Sequence, residues 1–414
     1  MKLRKAHVVG AGLAGLSAAV ELASRGVSVE LHEGSPQAGG RCRSYADSTL
    51  GMDIDNGNHL ILSGNHATLA YVDKIGARDR LEEAPSASFP FIDLETRERW
   101  TVRANEGPIP WWIFDKNRRV PGAALSEYFA LAKLLRARNG ATIGETMNCF
   151  GPLYERLLEP FLMSALNIDP KEGSATLAAA IIRETLAAGG RQYHPVIARI
   201  GLSSAFVDPA LRFIARAGGG VNFGRRLKSL ALDAQRVSGL DFGDETIPVG
   251  PDDAVILAVP PQAAGSMVPG LSTPTQFRAI VNAHYRFAPP AGLAPIIGIV
   301  NGLAQWLFAF PDRLSVTISA GDHLVDVPRE ELATRIWRDV ADVAEISAPM
   351  PPWQIVRERR ATFAATPAED AKRPDARTAW SNLSLAGDWT RTGLPATIEG
   401  AIRSGVKAAR TVAP

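Results

Sequence analysis

The sequence predicts an α/β protein in which a parallel, doubly wound sheet is split along the chain and accompanied by a second domain of mixed sheet and helices. Three observations carry this. An apolar strand, His7-Val8-Val9, runs into Gly10-Ala11-Gly12-Leu13-Ala14-Gly15 and then into an alanine-rich helical pattern. A second strand, Val27-Ser28-Val29-Glu30-Leu31-His32, ends at the acidic Glu33. Far downstream, the apolar run Leu383-Ser384-Leu385-Ala386 ends in Gly387-Asp388 ahead of another helical pattern. Together they describe a Rossmann-type nucleotide-binding domain closed by the end of the chain.

In the first unit, Gly10 permits the tight turn, Gly12 lets backbone approach a pyrophosphate, and Gly15 lets helix pack on strand. The N–H groups at the helix start, around Ala11, Leu13 and Ala14, face the negative charge. Glu33 stands about 20 residues beyond the glycines, where a carboxylate accepts hydrogen bonds from a ribose. Next comes Gly39-Gly40-Arg41. In FAD-dependent amine oxidases and carotenoid desaturases a glycine pair followed by arginine occupies this place, and that resemblance implies FAD as the nucleotide. In the C-terminal unit, Gly387-Asp388 offers a carboxylate to sugar or ribityl hydroxyls. Ala396-Thr397, at the next helix start, offers backbone N–H groups to pyrophosphate or flavin.

A chain of 414 residues with 46% hydrophobic residues can bury a large core in two domains. A net charge of +2 without a basic stretch interleaved with aromatics argues against nucleic acid. The two cysteines, Cys42 and Cys149, are too few for a disulfide framework or a structural metal site and suit a cytosolic chain. The seven histidines show no metal-ligand spacing, and Ser63-Gly64-Asn65 argues against one helix carrying His59 and His66. Met1-Lys2-Leu3-Arg4-Lys5 before an apolar run imitates a signal peptide, but cleavage there would destroy the glycine cradle. The charge-free stretch 288–311 is long enough to span a bilayer. Pro295, Asn301 and Gln305 interrupt it, and Asn301-Gly302 predicts a two-residue hairpin between 296–300 and 303–308.

The pattern assigns residues 1–75, 205–270 and 380–414 to the nucleotide domain, and 76–204 and 271–379 to the substrate domain. Within 205–270 an edge strand runs from Val221 to Leu227, with Leu227 expected against the cofactor. A small meander over 230–242 and a buried strand, Asp253 to Val259, follow. Helices are predicted over 124–135, from Gly151 to Leu162, and over 174–188. The segment Pro108-Ile109-Pro110-Trp111-Trp112-Ile113-Phe114 reads either as a corner buried between domains or as a group dipping into a membrane interface.

On the cradle, Gly39-Gly40-Arg41, Asp55-Asn56-Gly57-Asn58-His59, Pro108-Ile109-Pro110-Trp111-Trp112, Arg118-Arg119-Val120-Pro121-Gly122, Ser164-Ala165-Leu166-Asn167 and Ala386-Gly387-Asp388-Trp389, the chain resembles the squalene-associated FAD-dependent desaturases, or hydroxysqualene dehydroxylases, over most of its length. That family has glutamine where this chain has Asn58, a shorter amide. The resemblance implies Gly57, Asn58 and His59 near the isoalloxazine. It also implies a long-chain isoprenoid substrate and a reduction in which hydroxysqualene of hopanoid biosynthesis loses water and reduced flavin gives hydride to an allylic cation. Such chemistry needs a proton donor or strong hydrogen bond at the leaving oxygen, a water-poor cavity, and the carbon held against the flavin.

The candidates for the proton are His59, His194 and Tyr285, with Tyr193 and His284 as their neighbours. Asp55 is expected to fix a loop, and Glu399 to cap a helix. Gly218-Gly219-Gly220 precedes a strand and reads as a turn, so no second nucleotide motif is present and the electron donor stays open. Peripheral contact with the inner face of the cytoplasmic membrane is expected from the apolar substrate and the Trp111-Trp112 pair. A carotenoid-type desaturase, an amine oxidase with a paired-aromatic cage, and a non-catalytic flavin-containing lipid carrier stay open as alternatives.

Overall fold

The computed structural model describes residues 3–413; Met1, Lys2 and Pro414, at the outer ends of the expected nucleotide domain, lie outside them. Five short strands rich in Val, Leu and Ile, the composition of a sheet covered on both faces, form one parallel sheet. Its order is Gly220–Asn222, Ser28–His32, Lys5–Val9, Asp253–Leu257 and Leu383–Leu385. In this register Gly10, Glu33, Ala258 and Ala386 all emerge at the same carboxyl edge, so residues from three distant parts of the sequence face one crevice.

Helix Leu13–Ser24 follows the first strand, and helix Ile398–Val412 packs directly on it. Ser17 donates to the Ile402 carbonyl at 3.1 Å. A Cβ on Gly405 would lie 2.0 Å from the Ser17 hydroxyl and 2.1 Å from the Ala14 carbonyl, so glycine is what permits this approach.

The second sheet has seven strands in the order Trp353–Phe363, Phe277–Tyr285, Arg313–Ile318, Trp306–Phe310, Ile296–Val300, Ser88–Asp93 and Arg99–Arg103. All pairings are antiparallel except Ile296–Val300 with Ser88–Asp93, so the sheet is mixed. Strand alternation divides its side chains. Val281, Ala283, Tyr285, Leu314 and Val316 pack with Leu332, Ile336 and Val340 of helix Arg329–Ala344. Phe91, Trp306, Phe308 and Phe310 join the core of the helical block on the opposite face. Among the described residues no helix is long and apolar enough to cross a membrane.

Several expected boundaries shift for local reasons. The 296–308 hairpin is not closed by a two-residue turn: Ile299 donates to the Gln305 carbonyl, and Asn301 alone adopts a left-handed φ of 57°. Asp339 accepts from the Leu303 and Ala304 N–H groups, which draws both residues out of the strand, and the second arm begins at Trp306. The 124–135 helix is broken at Phe129 into Leu125–Tyr128 and Ala130–Leu135, and the 174–188 helix stops at Glu184 because Thr185 leaves helical dihedrals. The edge strand ends at Asn222, leaving Leu227 in a loop. Where the sequence suggests a helix from Gly151, the chain makes a π-turn over Tyr154–Leu158 before helix Glu159–Leu166; Ser203–Val207 precedes helix Asp208–Arg216 in the same way. Each following helix has proline at its second position, Pro160 and Pro209, which lacks the N–H that a continuous α-ladder needs.

Gly405→Ala tests the helix pairing. Overpacking against backbone is expected to cost about 3 kcal/mol and to lower the thermal midpoint by roughly 5 °C. An unchanged midpoint by calorimetry would show that the helices are not held at this separation.

Candidate active site

The crevice at the carboxyl edge of the parallel sheet has the shape a dinucleotide requires. Gly10 takes a φ of +103°, and a Cβ there would meet the Ala258 carbonyl at 2.4 Å. A Cβ on Gly12, by contrast, would meet no atom within 4 Å: backbone faces open space at the position where a pyrophosphate must come close. Gly39 runs parallel to Gly12 and donates to the Ala11 carbonyl at 2.8 Å, laying Gly39-Gly40-Arg41 along the cradle. Leu13 and Ala14 are buried in the first turn of the helix.

Glu33 is fixed by the N–H groups of Ala11 at 2.7 Å and Ser35 at 2.8 Å, and its own carbonyl accepts from Arg225 at 2.8 Å. Leu227 is buried two residues beyond Arg225. The open glycine face, the fixed carboxylate and the adjoining loop fit the adenine-ribose-pyrophosphate half of FAD.

Deeper in the crevice, one arginine gathers three parts of the chain. Arg41 donates through Nη2 to both oxygens of Asp388 at 2.7 Å, and through Nη1 to the Ala361 carbonyl of strand Trp353–Phe363. Its side chain is 43% accessible although protein encloses it, the signature of a residue lining a cleft. Burial works against the guanidinium charge, but Asp388 outweighs it and the pKa is raised. The Asp388 carboxylate, expected to serve sugar or ribityl hydroxyls, is therefore engaged by Arg41. His59 is partly exposed in the same cleft. Burial first, and then the Arg41 charge, lower its pKa to about 4, so the imidazole is neutral at pH 7.

The loop carrying Gly57, Asn58 and His59 is held from both sides. Asp55 accepts from the Ser44 hydroxyl at 2.6 Å and the Leu202 N–H at 2.8 Å and lies 3.6 Å from Arg313, so it does fix a loop. Burial lifts its pKa against those partners. Asn58 donates to Thr317 at 3.1 Å, Thr317 donates to Asn282 at 2.8 Å, and Asn282 reaches the Asn56 carbonyl. The Asn58 Oδ1 acceptor is buried without a partner. A Cβ on Gly57 would stand 3.0 Å from the Asn282 amide, which explains glycine there. His284, fully buried, contacts Ser315 through Nδ1 at 2.8 Å, and burial followed by the Arg313 charge lowers its pKa to about 3.

The remaining expected residues lie elsewhere. Tyr285 points to the opposite face of the sheet, where its hydroxyl donates to the Ala333 carbonyl at 2.7 Å and its ring meets Trp337. His194 sits between the surface carboxylates Glu83 and Glu106, with its N–H on Ser63. Neither joins His59: strand alternation turns Tyr285 away, and its carboxylate partners hold His194 outside. Thr397 caps the C-terminal helix by accepting from Gly400 at 3.0 Å, with Ala396 partly buried before it. Glu399 accepts from the Ala67 and Thr68 N–H groups and the Thr68 hydroxyl, capping helix His66–Lys74 as expected. Arg313, Asn282 and Thr317 escaped the sequence reading. Their signal was polar residues at every second position, Asn282 and His284, then Arg313, Ser315 and Thr317, in strands otherwise apolar.

A family model described as flavin containing amine oxidoreductase matches residues 13–413. Hydroxysqualene dehydroxylase from Rhodopseudomonas palustris is 56% identical over 98% of this chain and 97% of its own length. The protein of that name from Zymomonas mobilis is 47% identical, covering 97% of each. Among solved structures, cyclohexylamine oxidase from Brevibacterium oxydans superimposes with a TM-score of 0.72 at 16% identity over 100% of this chain and 99% of that one, a likeness of fold.

The neutral His284 makes stability depend on pH. From pH 6.5 down to about 3 the unfolded chain binds a proton that folded His284 refuses, so stability falls as pH falls, by about 1.4 kcal/mol per unit from this group. Urea unfolding of His284→Gln between pH 6 and 4.5 is expected to show a slope shallower by about that amount. A slope equal to the parent's would mean that folded His284 is protonated like an ordinary imidazole.

Proposed function

The chain belongs to the flavin-containing amine oxidoreductase family and, within it, to the hydroxysqualene dehydroxylases, and from that premise we propose how its cleft removes a hydroxyl group. It is an FAD-dependent oxidoreductase. The observation that carries the substrate is identity of 56% and 55% to two dehydroxylases over 98% of the chain, a span that includes both the crevice and the sheet face opposite it. Hydroxysqualene, a long allylic alcohol, gives up its hydroxyl as water, and the carbon takes a hydride to yield squalene. FAD, when bound in its reduced form, would supply that hydride.

The chain's own part is binding, orientation and exclusion of water. Gly10 to Gly15, Glu33, Gly39, Gly40 and Leu227 hold the nucleotide half. Arg41, Gly57, Asn58, Gly387, Asp388, Ala396 and Thr397 line the flavin half. His59, neutral beside Arg41, donates an N–H hydrogen bond to the departing hydroxyl and keeps its own proton; the proton that completes the water is drawn from solvent. Asn58 Oδ1, buried without a partner, is the second polar atom available there. The Arg41 charge, close to a site of developing positive charge, is paired with Asp388, which weakens its opposition to ionisation although it still acts on His59. The aromatic face of Trp306, Phe308 and Phe91 provides a wall that offers no nucleophile. A substrate this apolar resides in lipid, and on that ground the protein works as a peripheral enzyme of the cytoplasmic membrane.

Anaerobic addition of hydroxysqualene in detergent to the chemically reduced holoenzyme is expected to reoxidise the flavin with one squalene formed per flavin. New conjugated double bonds would mean desaturation instead, and a flavin that stays reduced with substrate bound would mean lipid carriage. His59→Ala is expected to slow squalene formation by about 10²-fold or more without loss of FAD, and His59→Gln to recover part of it. Because His59 is already neutral, the parent's kcat shows no inflection near pH 6.5; a step there would remove His59 from this role.

A further inference from the structure

We propose that residues 109–150 form the surface by which the protein seats on an anionic lipid bilayer, an inference that rests on the lipid substrate proposed above and names the face that meets it. Of the eight exposed large apolar residues among the described residues, six lie in this stretch: Ile109, Trp111, Phe114, Leu125, Phe129 and Phe150. A soluble surface scatters such residues singly, so their concentration here marks a contact. Five of them are between 56% and 69% exposed, while Trp112, the other half of the expected tryptophan pair, is buried. The anchor is therefore not Trp111 with Trp112 but Trp111 with side chains from three other turns.

Contacts beneath the patch hold those turns together. The Trp111 and Phe114 rings lie 6.2 Å apart, and Trp112 packs edge-on against Tyr128, whose hydroxyl accepts from the Val120 N–H. Glu127 accepts from the N–H groups of Ala124 and Leu153, fastening the turn that precedes Phe129 to the corner that follows Phe150. Trp112, Tyr128 and Leu153 belong to the same apolar core as Phe91, Trp306 and Phe308 on the sheet. Apolar packing thus runs without a break from the patch to the face proposed to wall the substrate.

Charge selects the occupant. Lys116, Arg118, Arg119, Lys133, Arg136 and Arg138 border the apolar residues in sequence, and among the described residues none has a carboxylate within 4 Å. The two acids of the stretch before residue 130 are otherwise engaged: Asp115 accepts from the Asn117 N–H, and Glu127 holds the two backbone groups above. An apolar centre with uncompensated cations suits anionic headgroups over acyl chains. A second copy of the chain, related by a two-fold axis, would bring like charges face to face.

The test is flotation of the holoenzyme, without substrate, on vesicles of phosphatidylcholine alone and of phosphatidylcholine with a quarter phosphatidylglycerol. The parent is expected to float with the anionic vesicles, and to do so less as salt is raised. Binding should fall at least tenfold in Trp111→Ser/Phe114→Ser/Phe129→Ser and in Lys116→Glu/Lys133→Glu/Arg136→Glu. The second variant alters only exposed cations and decides the matter if the first misfolds. Both should keep dehydroxylation of detergent-dispersed hydroxysqualene, an independent readout, so failed chemistry with intact flotation would overturn only the proposed reaction. A parent that does not float, variants that float like the parent, or a dimer in light scattering that the variants convert to monomer would overturn the bilayer assignment.

Discussion

The pairing of Arg41 with Asp388 is the constraint on which the cleft depends. The two residues are 347 positions apart, and they meet only because the loop after the second strand and the end of the last strand lie at one edge of the parallel sheet. One Nη spans both Asp388 oxygens, and the planar guanidinium holds a second donor in fixed relation to it, which a lysine in place of Arg41 would not supply. The remaining Nη of Arg41 takes the Ala361 carbonyl, so the same guanidinium ties the nucleotide sheet to the seven-stranded sheet. Asp388 is 7% accessible and Arg41 43%, so it is the carboxylate that depends on the pair: without Arg41 it would be left buried and unmatched.

A second junction crosses the same gap at the loop between Asp55 and His59. Asp55 faces Arg313 with both side chains 3% accessible, Asn56 reaches Glu358 at 3.2 Å, and Asn58 is tied through Thr317 to Asn282. The partners come from three strands of the seven-stranded sheet, Arg313 and Thr317 from one, Glu358 and Asn282 from the other two, so the loop's position registers that of this part of the sheet. The π-turn at Ser203–Val207 supports the loop from behind: Ser203 and Ser44 exchange hydrogen bonds at 2.7 and 2.9 Å, and Val207 packs on Gly39. A site that must hold a carbon against a flavin to within a fraction of an ångström needs this second layer of contacts.

These two junctions also show where sequence reading succeeds and stops. The cradle, Glu33 and the terminal Gly387-Asp388 were legible because each is local: a turn, a helix start or a strand end whose chemistry is set by neighbours in sequence. The loop role of Asp55 and the capping role of Glu399 were legible because buried carboxylates seek backbone N–H groups. What could not be read was which strand faces which. Tyr285 and His284 are adjacent, yet alternation sends one to the helix-covered core and the other toward the cleft loop, and only the pairing of Phe277–Tyr285 with Arg313–Ile318 decides between them. The wider turn after Val300 depends in the same way on a partner distant in sequence, Asp339, that lies outside any local window.

Aromatic geometry bears on the amine-oxidase alternative. A cage for an ammonium group needs ring faces free to receive it. Phe308 and Phe310 do stack, with centroids 6.3 Å apart, but the Arg313 guanidinium lies 4.0 Å from the centre of Phe310. Phe91 and Trp100 stack as well, and Arg156 covers Trp100 at 4.6 Å. The chain's own arginines already occupy the positions a cationic substrate would want. Both are paired with carboxylates, Arg313 with Asp55 and Arg156 with Asp93 and Glu98, so what they remove is the open ring face. In these two stacks the aromatic faces are thus filled by the chain's own arginines and are not open to an ammonium group.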